Sequence, residues 1–374
     1  MNPTTASERD ARHLFRALEL AAEARGSTSP NPLVGAVIVK GGRTIGEGFH
    51  AAPGEHHAER AALAACEEDP AGATMYVSLE PCCHHGRTPP CTDAILAASI
   101  SRVVVASDDP SPKAAGRGLG ILRDEGVSTD LHDGDVAAAA RLLNQPFRKH
   151  ARTGRPLVIL KSAMTLDGKV ATSSGHSKWI SGESSRARGH RWRAEADAVA
   201  VGLGTALADD PLLTARVEAV GGQPARVIFD SEARLPLTSQ LVKTIDASPV
   251  IVVCSRAAPR THTDALEAAG VEVIVATGEN ESAKVSSALD QLGAREIQSL
   301  LLEGGPHLAG AFFDAGEIDE VRTFIAPMVA GGREARVPVE GGGVEAMDNA
   351  PRALATEVER IDDDVLISAR MKDW

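Results

Sequence analysis

Three short segments of this chain carry side chains that make sense together only if the fold brings them to one place. The first is His57-Ala58-Glu59. Cys82 lies 23 residues after Glu59 and follows Pro81, and Cys91 follows Pro90. One imidazole and two thiolates supply three zinc ligands. A three-ligand site leaves a coordination position open for water, as in catalytic zinc rather than structural zinc. Residues at i and i+2 do not share a helix face, so His57 and Glu59 can serve one site only where a helix is just beginning. There Glu59 could take a proton from water and return it to a leaving amine. The alternatives are a solvated acid at a helix start and a structural zinc. The latter would recruit a fourth ligand from Cys83, His84, His85 or His56.

A layered α/β architecture is expected around these segments. A helix over 8–25 ends at Gly26. Runs 33–39 and 43–49 flank Gly41-Gly42, a hairpin signal. Helices at 58–68 and 92–98 alternate with strands at 73–79 and 102–106, and the pattern continues to about 149. The stretch 144–156, with two prolines, a glycine and five basic residues, reads as a linker. Beyond it come short β-branched runs at 157–161, 197–201, 226–230, 249–254, 271–276, 299–303 and 321–326. They suit buried central strands, and a terminal hairpin is expected near 356–371. The 374 residues at roughly 150 per domain predict two domains, placed at 1–150 and 151–374.

The formal net charge is −12 and aromatics are 3%, which disfavours a nucleic-acid surface. No apolar run reaches the ~18 residues of a membrane span. The polar segment 1–10 lacks a signal-peptide core, so a cytoplasmic protein is expected. Three of the 5 cysteines, Cys82, Cys83 and Cys91, cluster, which points to a metal site rather than a disulfide framework.

In the second half a Rossmann fingerprint is absent. Gly202-x-Gly204 is a fragment of one, and Gly116-Arg117-Gly118-Leu119-Gly120 has the wrong spacing. A better phosphate cradle is Leu302-Glu303-Gly304-Gly305-Pro306-His307-Leu308, where a strand should end and a helix begin near His307. The free N–H groups there suit a pyrophosphate.

The His-x-Glu…Pro-Cys arrangement matches the zinc nucleoside and nucleobase deaminases, but it departs from their Pro-Cys-x-x-Cys spacing. With its longer insertion, the run Pro81-Cys82-Cys83-His84-His85-Gly86-Arg87-Thr88-Pro89-Pro90-Cys91 resembles the bifunctional riboflavin-biosynthesis deaminase–reductase family. So do Pro30-Asn31-Pro32-Leu33-Val34-Gly35, Gly48-Phe49-His50, Leu79-Glu80-Pro81 and Asp109-Pro110-Ser111-Pro112. In the second half Lys161-Ser162-Ala163-Met164-Thr165-Leu166-Asp167-Gly168-Lys169, Ser177-Lys178-Trp179, Val201-Gly202-Leu203-Gly204-Thr205 and Asp209-Asp210-Pro211-Leu212-Leu213-Thr214-Ala215-Arg216 are similar to the family's reductase.

The resemblance implies a cytidine-deaminase-like three-layer domain followed by a dihydrofolate-reductase-like domain, with Zn2+ and NADPH as cofactors. Zinc would be held by His57, Cys82 and Cys91, with Glu59 catalytic. NADPH would contact Ala163, Trp179, Thr205, Asp209, Ser231, Gly305, Pro306, His307 and Leu308. A phosphorylated pyrimidine, the small-molecule substrate, would meet Asn31, His50 and His84, with Arg87 and Thr88, in the first half. In the second it would meet Lys161, Ser177, Arg193, Leu213, Arg216 and Glu303. Arg193 and Arg216 suit a phosphate clamp, and Glu303 can accept bonds from the pyrimidine. Asp167 reads either as functional or as a turn former, and Trp179 as a cofactor contact or a core residue. Arg256 is the candidate for the NADPH 2′-phosphate, and Cys83 reads as a spectator thiol. No membrane or nucleic-acid partner is expected. The apolar strands of the second half suggest a homodimer through that domain. The competing readings are a nucleobase or tRNA deaminase fused to an unrelated nucleotide-binding domain, and a zinc-stabilised binding module without turnover.

Overall fold

A helix, α1 (Ala6–Ala22), leads into the hairpin of β1 (Gly35–Lys40) and β2 (Arg43–Phe49) in the computed structural model, which describes residues 6–85, 89–112, 114–217 and 221–374. The chain divides into two units, Met1–Thr153 with Trp374, and Gly154–Asp373. In the first unit α2 (Ala58–Ala64), β3 (Thr74–Val77), α3 (Cys91–Ala97), β4 (Arg102–Val105), α4 (Arg117–Asp124), β5 (Ser128–Leu131), α5 (Gly134–Leu143) and α6 (Gln145–Thr153) follow. The sheet order is β2-β1-β3-β4-β5. The hairpin and the β1–β3 pair are antiparallel, while β3, β4 and β5 run parallel.

The period of two along a strand sends alternate residues to opposite faces, and the core obeys it. Ile38, Met75, Val77, Val103 and Val105 pack with Ala58, Ala62, Ile95 and Leu122 from α2, α3 and α4. Val37, Tyr76 and Val104 pack on the other face with Leu14, Val136 and Ala140 from α1 and α5. The result is a helix–sheet–helix sandwich. Its α2 layer presses closely on β2. A Cβ built on Gly48 would stand 2.4 Å from the Ala62 nitrogen, so glycine is required where that helix is seated.

The stretch expected as a linker is instead largely helix α6. Pro146 falls in its first turn, where a missing N–H removes no helical hydrogen bond. Gly154, with φ of +73°, follows its end. The basic residues that suggested a solvated connection are partly interior. Arg148 is 1% exposed and donates to the Ser107 Oγ (3.1 Å) and the Asp108 carbonyl (2.8 Å). Composition reports charge but not whether a partner waits for it.

The second unit is built on β6 (Leu157–Thr165), α7 (Glu183–Glu195), β7 (Ala198–Gly202), α8 (Leu203–Asp209), β8 (Ala225–Phe229), α9 (Gln240–Lys243), β9 (Val250–Ser255), α10 (Arg260–Ala268), β10 (Glu272–Ala276), α11 (Glu281–Gly293), β11 (Ser299–Leu302), α12 (Pro306–Asp314), β12 (Glu320–Ala326), β13 (Ala355–Ile361) and β14 (Asp364–Arg370). The nine strands order as β10-β9-β8-β7-β11-β6-β12-β14-β13. Those from β10 to β12 are parallel, and the terminal hairpin adds antiparallel at one edge. Helices α11 and α12 cover one face, where Leu289 and Phe312 pack with Val158, Leu160, Val227, Ile251 and Leu300 of the strands. In an open parallel sheet, ligands bind at the carboxyl ends of the strands, and that edge carries the second site.

Candidate active sites

His57 is the residue before α2, with φ −64° and ψ 157°, and Cys91 is the first residue of α3. Both ligands thus stand at helix starts, where unpaired N–H groups favour negative charge. The His57 Nδ1 lies 3.5 Å from the Cys82 Sγ and 3.3 Å from the Cys91 Sγ. Zinc–nitrogen and zinc–sulfur bonds of about 2.0 and 2.3 Å, set on tetrahedral corners, separate such atoms by about 3.5 Å. The donor set therefore fits zinc in both chemistry and spacing. Among the described residues the only metal-competent group of this kind is His57, Cys82 and Cys91. His56, Cys83, His84 and His85 do not join it as a fourth ligand.

The electrostatics of the cluster are strongly coupled. The Cys82 thiol is pushed down to about 4, first by the hydrogen bond it shares with Cys91 and then by His57. Cys91 is pushed up because that shared proton stays on it. The Cys91 amide also donates to the Cys82 Sγ at 3.3 Å. Glu59, 3% exposed, is raised above the ordinary carboxylate range by burial and by the neighbouring Cys82. It is thus not a solvated acid. Asn31 Nδ2 meets the His50 Nε2 at 2.9 Å, and the His50 ring lies 5.3 Å from the His57 ring. Asn31 and His50 therefore adjoin the metal ligands. His84 is exposed, and Arg87 and Thr88 lie outside the described residues.

One contributor had not been singled out from the sequence. Glu80 is 4% exposed, and its carboxylate accepts from the amides of Gly116 (2.9 Å) and Gly118 (3.0 Å). It fastens the start of α4 behind Cys82. The usable signal was a charged residue at the end of a buried strand, immediately before Pro81-Cys82.

In the second unit a cavity of about 550 Å³ opens at the carboxyl ends of β7, β8, β9 and β10. It is lined by six of the residues expected at the cofactor: Thr205, Ser231, Gly305, Pro306, His307 and Leu308. Gly305 precedes α12 and Pro306 is its first residue, so free amides face this cradle. A Cβ on Gly304 would stand 2.8 Å from the Leu308 side chain, so glycine lets the turn close. The size suits a nucleotide. Ala163, Trp179 and Asp209 do not line it, and neither does Arg256. Trp179 is 70% exposed, so it is not a core residue, and it carries the Arg186 guanidinium 4.8 Å from its ring.

Glu303, at the end of β11, binds Arg193 of α7 through two bonds of 2.8 Å, Nε to Oε1 and one terminal nitrogen to Oε2. Lys161 Nζ lies 3.9 Å from the same carboxylate. Burial raises the Glu303 pKa, but Lys161 and Arg193 outweigh it and hold the group at about 2. The Arg193 fork expected on a phosphate is thus engaged by Glu303, whereas Arg216 is exposed. His190, one helical turn before Arg193, has a buried Nδ1 with no hydrogen-bond partner among the described residues. Burial and the charges of Arg193 and Arg216 keep its pKa low. The i, i+3 spacing with Arg193 was the signal for it. Leu213 is buried with φ of +55°, and Ser177 is exposed. Asp167 accepts from the Thr165 hydroxyl and from the amides of Ala330 and Gly331. Those bonds, the Thr165 one foremost, hold it at about 2, and its work is fixing two loops.

Fold and sites together define a zinc deaminase joined to a nicotinamide-nucleotide reductase. Residues 7–107 match the cytidine and deoxycytidylate deaminase zinc-binding region, and residues 156–367 match the RibD C-terminal domain. The riboflavin biosynthesis protein RibD of Actinobacillus pleuropneumoniae is 42% identical over 96% of this chain and 94% of its own length. The solved structure of Acinetobacter baumannii RibD superposes with a TM-score of 0.87 at 37% identity, covering 98% of this chain and all of that one. A Thermotoga maritima structure, a diaminohydroxyphosphoribosylaminopyrimidine deaminase/5-amino-6-(5-phosphoribosylamino)uracil reductase, superposes at 0.85 and 36%, covering 98% of this chain.

The chain belongs to the RibD family of bifunctional riboflavin-biosynthesis enzymes. Its first fold is cytidine-deaminase-like and its second dihydrofolate-reductase-like. Its cofactors are zinc and NADPH. A nucleobase or tRNA deaminase fused to an unrelated domain is not favoured, because the likeness runs through both halves. No helix of the described residues is long and apolar enough to cross a membrane.

Proposed function

We propose that residues 1–150 deaminate 2,5-diamino-6-(ribosylamino)pyrimidinone 5′-phosphate and that residues 151–374 then reduce its ribosyl group to ribityl. The observation that carries this reading is the convergence of His57, Cys82 and Cys91 beside the buried Glu59. Those three side chains would hold zinc, which when bound supplies Lewis acidity that makes water nucleophilic at neutral pH. Glu59 takes a proton on its carboxylate and delivers it to the departing amine nitrogen. Its burial beside the three ligands keeps that proton exchange away from bulk water. Asn31 and His50, bonded to each other, orient the pyrimidine, and His84, which is exposed, meets its phosphate.

In the second unit NADPH would lie along Thr205, Ser231 and the Gly305–Leu308 turn, and it would supply hydride; Ala163 on β6, Asp209 at the end of α8 and Trp179 are its contacts beyond the cavity wall. Glu303 accepts bonds from the pyrimidine while Arg193 and Lys161 keep it ionised. Arg216 takes the substrate phosphate, and Ser177 and Leu213 complete the pocket. The enzyme is cytoplasmic and a homodimer through the second unit. There the edge strand β13 is exposed along most of its length, with Val358 68% exposed.

The test follows ammonia release and NADPH absorbance together on the zinc-loaded protein, with Glu59→Gln in parallel. Ammonia release preceding NADPH loss, both abolished by the substitution with zinc retained, is the expected result. Absence of ammonia from the unsubstituted enzyme would overturn the assignment. NADPH loss persisting in the variant would show that the reductase accepts the diamino compound directly.

A further inference from the structure

NADPH differs from NADH by one phosphate on the adenosine ribose, and a protein that selects it must offer that phosphate a cation. We infer that Arg234 and Lys284 are this enzyme's 2′-phosphate clamp, an assignment that rests on the reading of the 550 Å³ cavity as the cofactor site. One end of the cavity is the α12 start, whose free amides suit the diphosphate. The other end is walled by the residues that follow β8, β9 and β10.

Among the described residues, the arginine and lysine side chains that line the cavity are Arg234, Lys284 and Arg336. Arg336 is bridged to Ala171 across two loops that follow β6 and β12. In the sheet order, β6 and β12 lie on the opposite side of β7 and β11 from β8, β9 and β10. That leaves Arg234, in the loop after β8, and Lys284, in the first turns of α11 after β10.

The Arg234 loop is prebuilt. The Asp230 carboxylate accepts from the Leu235 amide at 2.8 Å, and the Asp230 carbonyl accepts from Ala233 at 3.0 Å. The Ser255 hydroxyl donates to the Ser231 carbonyl at 2.8 Å, and the His262 Nδ1 meets the Glu232 carbonyl at 3.0 Å. The loop's own Asp230 and two neighbouring segments thus hold the turn that presents Ser231 and Arg234 to the cavity.

Each cation already has an acidic companion. Arg234 pairs with Glu232 at 3.5 Å and Lys284 with Glu281 at 2.7 Å. Both carboxylates are more than half exposed, and such surface pairs contribute little stability. A phosphate dianion can therefore take over the guanidinium fork and the ammonium. Arg256, the expectation from sequence, is exposed and lies past the end of β9, outside the cavity wall.

The test is calorimetric binding to the full-length protein, with NADPH, NADH, 2′,5′-ADP and 5′-AMP as probes. The variants are Arg234→Met, Lys284→Met, both together, Arg256→Met and Gly204→Trp. Charge-assisted hydrogen bonds make the expected loss in the NADPH-to-NADH affinity ratio about tenfold for each single variant and about a hundredfold for the pair. Binding of 2′,5′-ADP should fall in step while 5′-AMP binding holds, and Arg256→Met should change nothing. Gly204 lines the cavity and has nothing within 4 Å of its Cβ position, so a tryptophan there should obstruct the cavity, with the native melting temperature as the check that the variant folds. It should weaken NADPH and NADH alike. If it weakens both while the double methionine variant keeps the native ratio, the clamp is wrong and the cavity reading stands. If it weakens neither, the cavity reading fails and the clamp with it. A ratio shifted by Arg256→Met alone would likewise overturn the assignment.

Discussion

A single methyl group at Gly118 should loosen the zinc site without touching it. The Cβ of an alanine there would stand 2.2 Å from the Pro81 carbonyl oxygen and 3.3 Å from the Glu80 Oε1, against an ordinary contact distance of at least 3.4 Å. Something must move by about 1 Å, at a cost of about 1–3 kcal/mol for overpacking. Helix α4 cannot simply withdraw, because Glu80 holds the Gly116 and Gly118 amides at 2.9 and 3.0 Å. The strain therefore falls on Glu80-Pro81-Cys82. Metal–ligand distances tolerate only about 0.2 Å, so a displaced Cys82 should lower zinc affinity about 10–100-fold, the usual effect of disturbing a ligand's support. Competition with a chromophoric chelator measures this directly. Ammonia release should fall at limiting zinc and recover at saturating zinc, while NADPH binding stays native. Gly120→Ala is the matched control. It lies in the same helix with nothing within 4 Å of its Cβ position, so it should leave zinc unchanged and stabilise by up to about 1 kcal/mol. Zinc held as tightly by Gly118→Ala as by the native chain would refute the reasoning.

Three further outcomes follow from buried charges and the exposed edge. Glu303, held at about 2 against an ordinary 4.5, stabilises the second unit above pH 4.5 and loses that contribution as pH falls toward 2. The contribution is on the order of 3 kcal/mol, and Glu303→Gln should flatten the acid limb of stability followed by denaturant titration between pH 7 and 3. Arg148→Met removes the bonds to Ser107, Asp108 and the Trp374 carbonyl. Asp108 stays half-exposed and hydrated, so the loss should be about 2 kcal/mol, read as a lower urea midpoint for the first unit. On the proposed dimer through the second unit, the native chain should sediment as a dimer and Val358→Lys on β13 as a monomer with zinc content unchanged; a native monomer, or an unaltered coefficient in the variant, would refute that contact.

The deaminase half was largely legible because its chemistry is local. His57 caps the start of one helix and Cys91 opens another, and proline and a helix-start acid mark such positions in sequence. The i, i+2 spacing of His57 and Glu59 dictated a helix beginning between them, and α2 begins at Ala58. Most strands of both sheets were visible as short apolar runs, but the edge strand β5 was given no bounds, and β6 extends to Thr165, beyond the expected 161, where it pairs with β12. What failed was the inference from composition. The basic segment before Pro156 looked like a solvated connection because charge is normally outside. Burial of Arg148 depends on Ser107 and Asp108, about forty residues away, and no local pattern reports that.

The reductase site shows why spacing alone stops short. Its cavity draws on short segments scattered from Gly202 to Glu340, which follow different strands, so no single window of sequence contains the whole of it. Of the three Gly-containing segments weighed as a phosphate cradle, spacing already favoured the one from Leu302 to Leu308, and packing sets two of them further apart. At Gly118 the missing side chain admits the Pro81 carbonyl, with the Glu80 carboxylate already on its amide. That glycine serves contact inside the first unit and has no amide to offer an anion. At Gly305 the Cβ position meets only the Thr205 hydroxyl, at 3.5 Å, and the turn stands open to the cavity ahead of α12. A glycine buried against backbone and a glycine facing a void are the same letter. Only the neighbour that occupies or vacates the space distinguishes a packing glycine from one that lets a nucleotide approach.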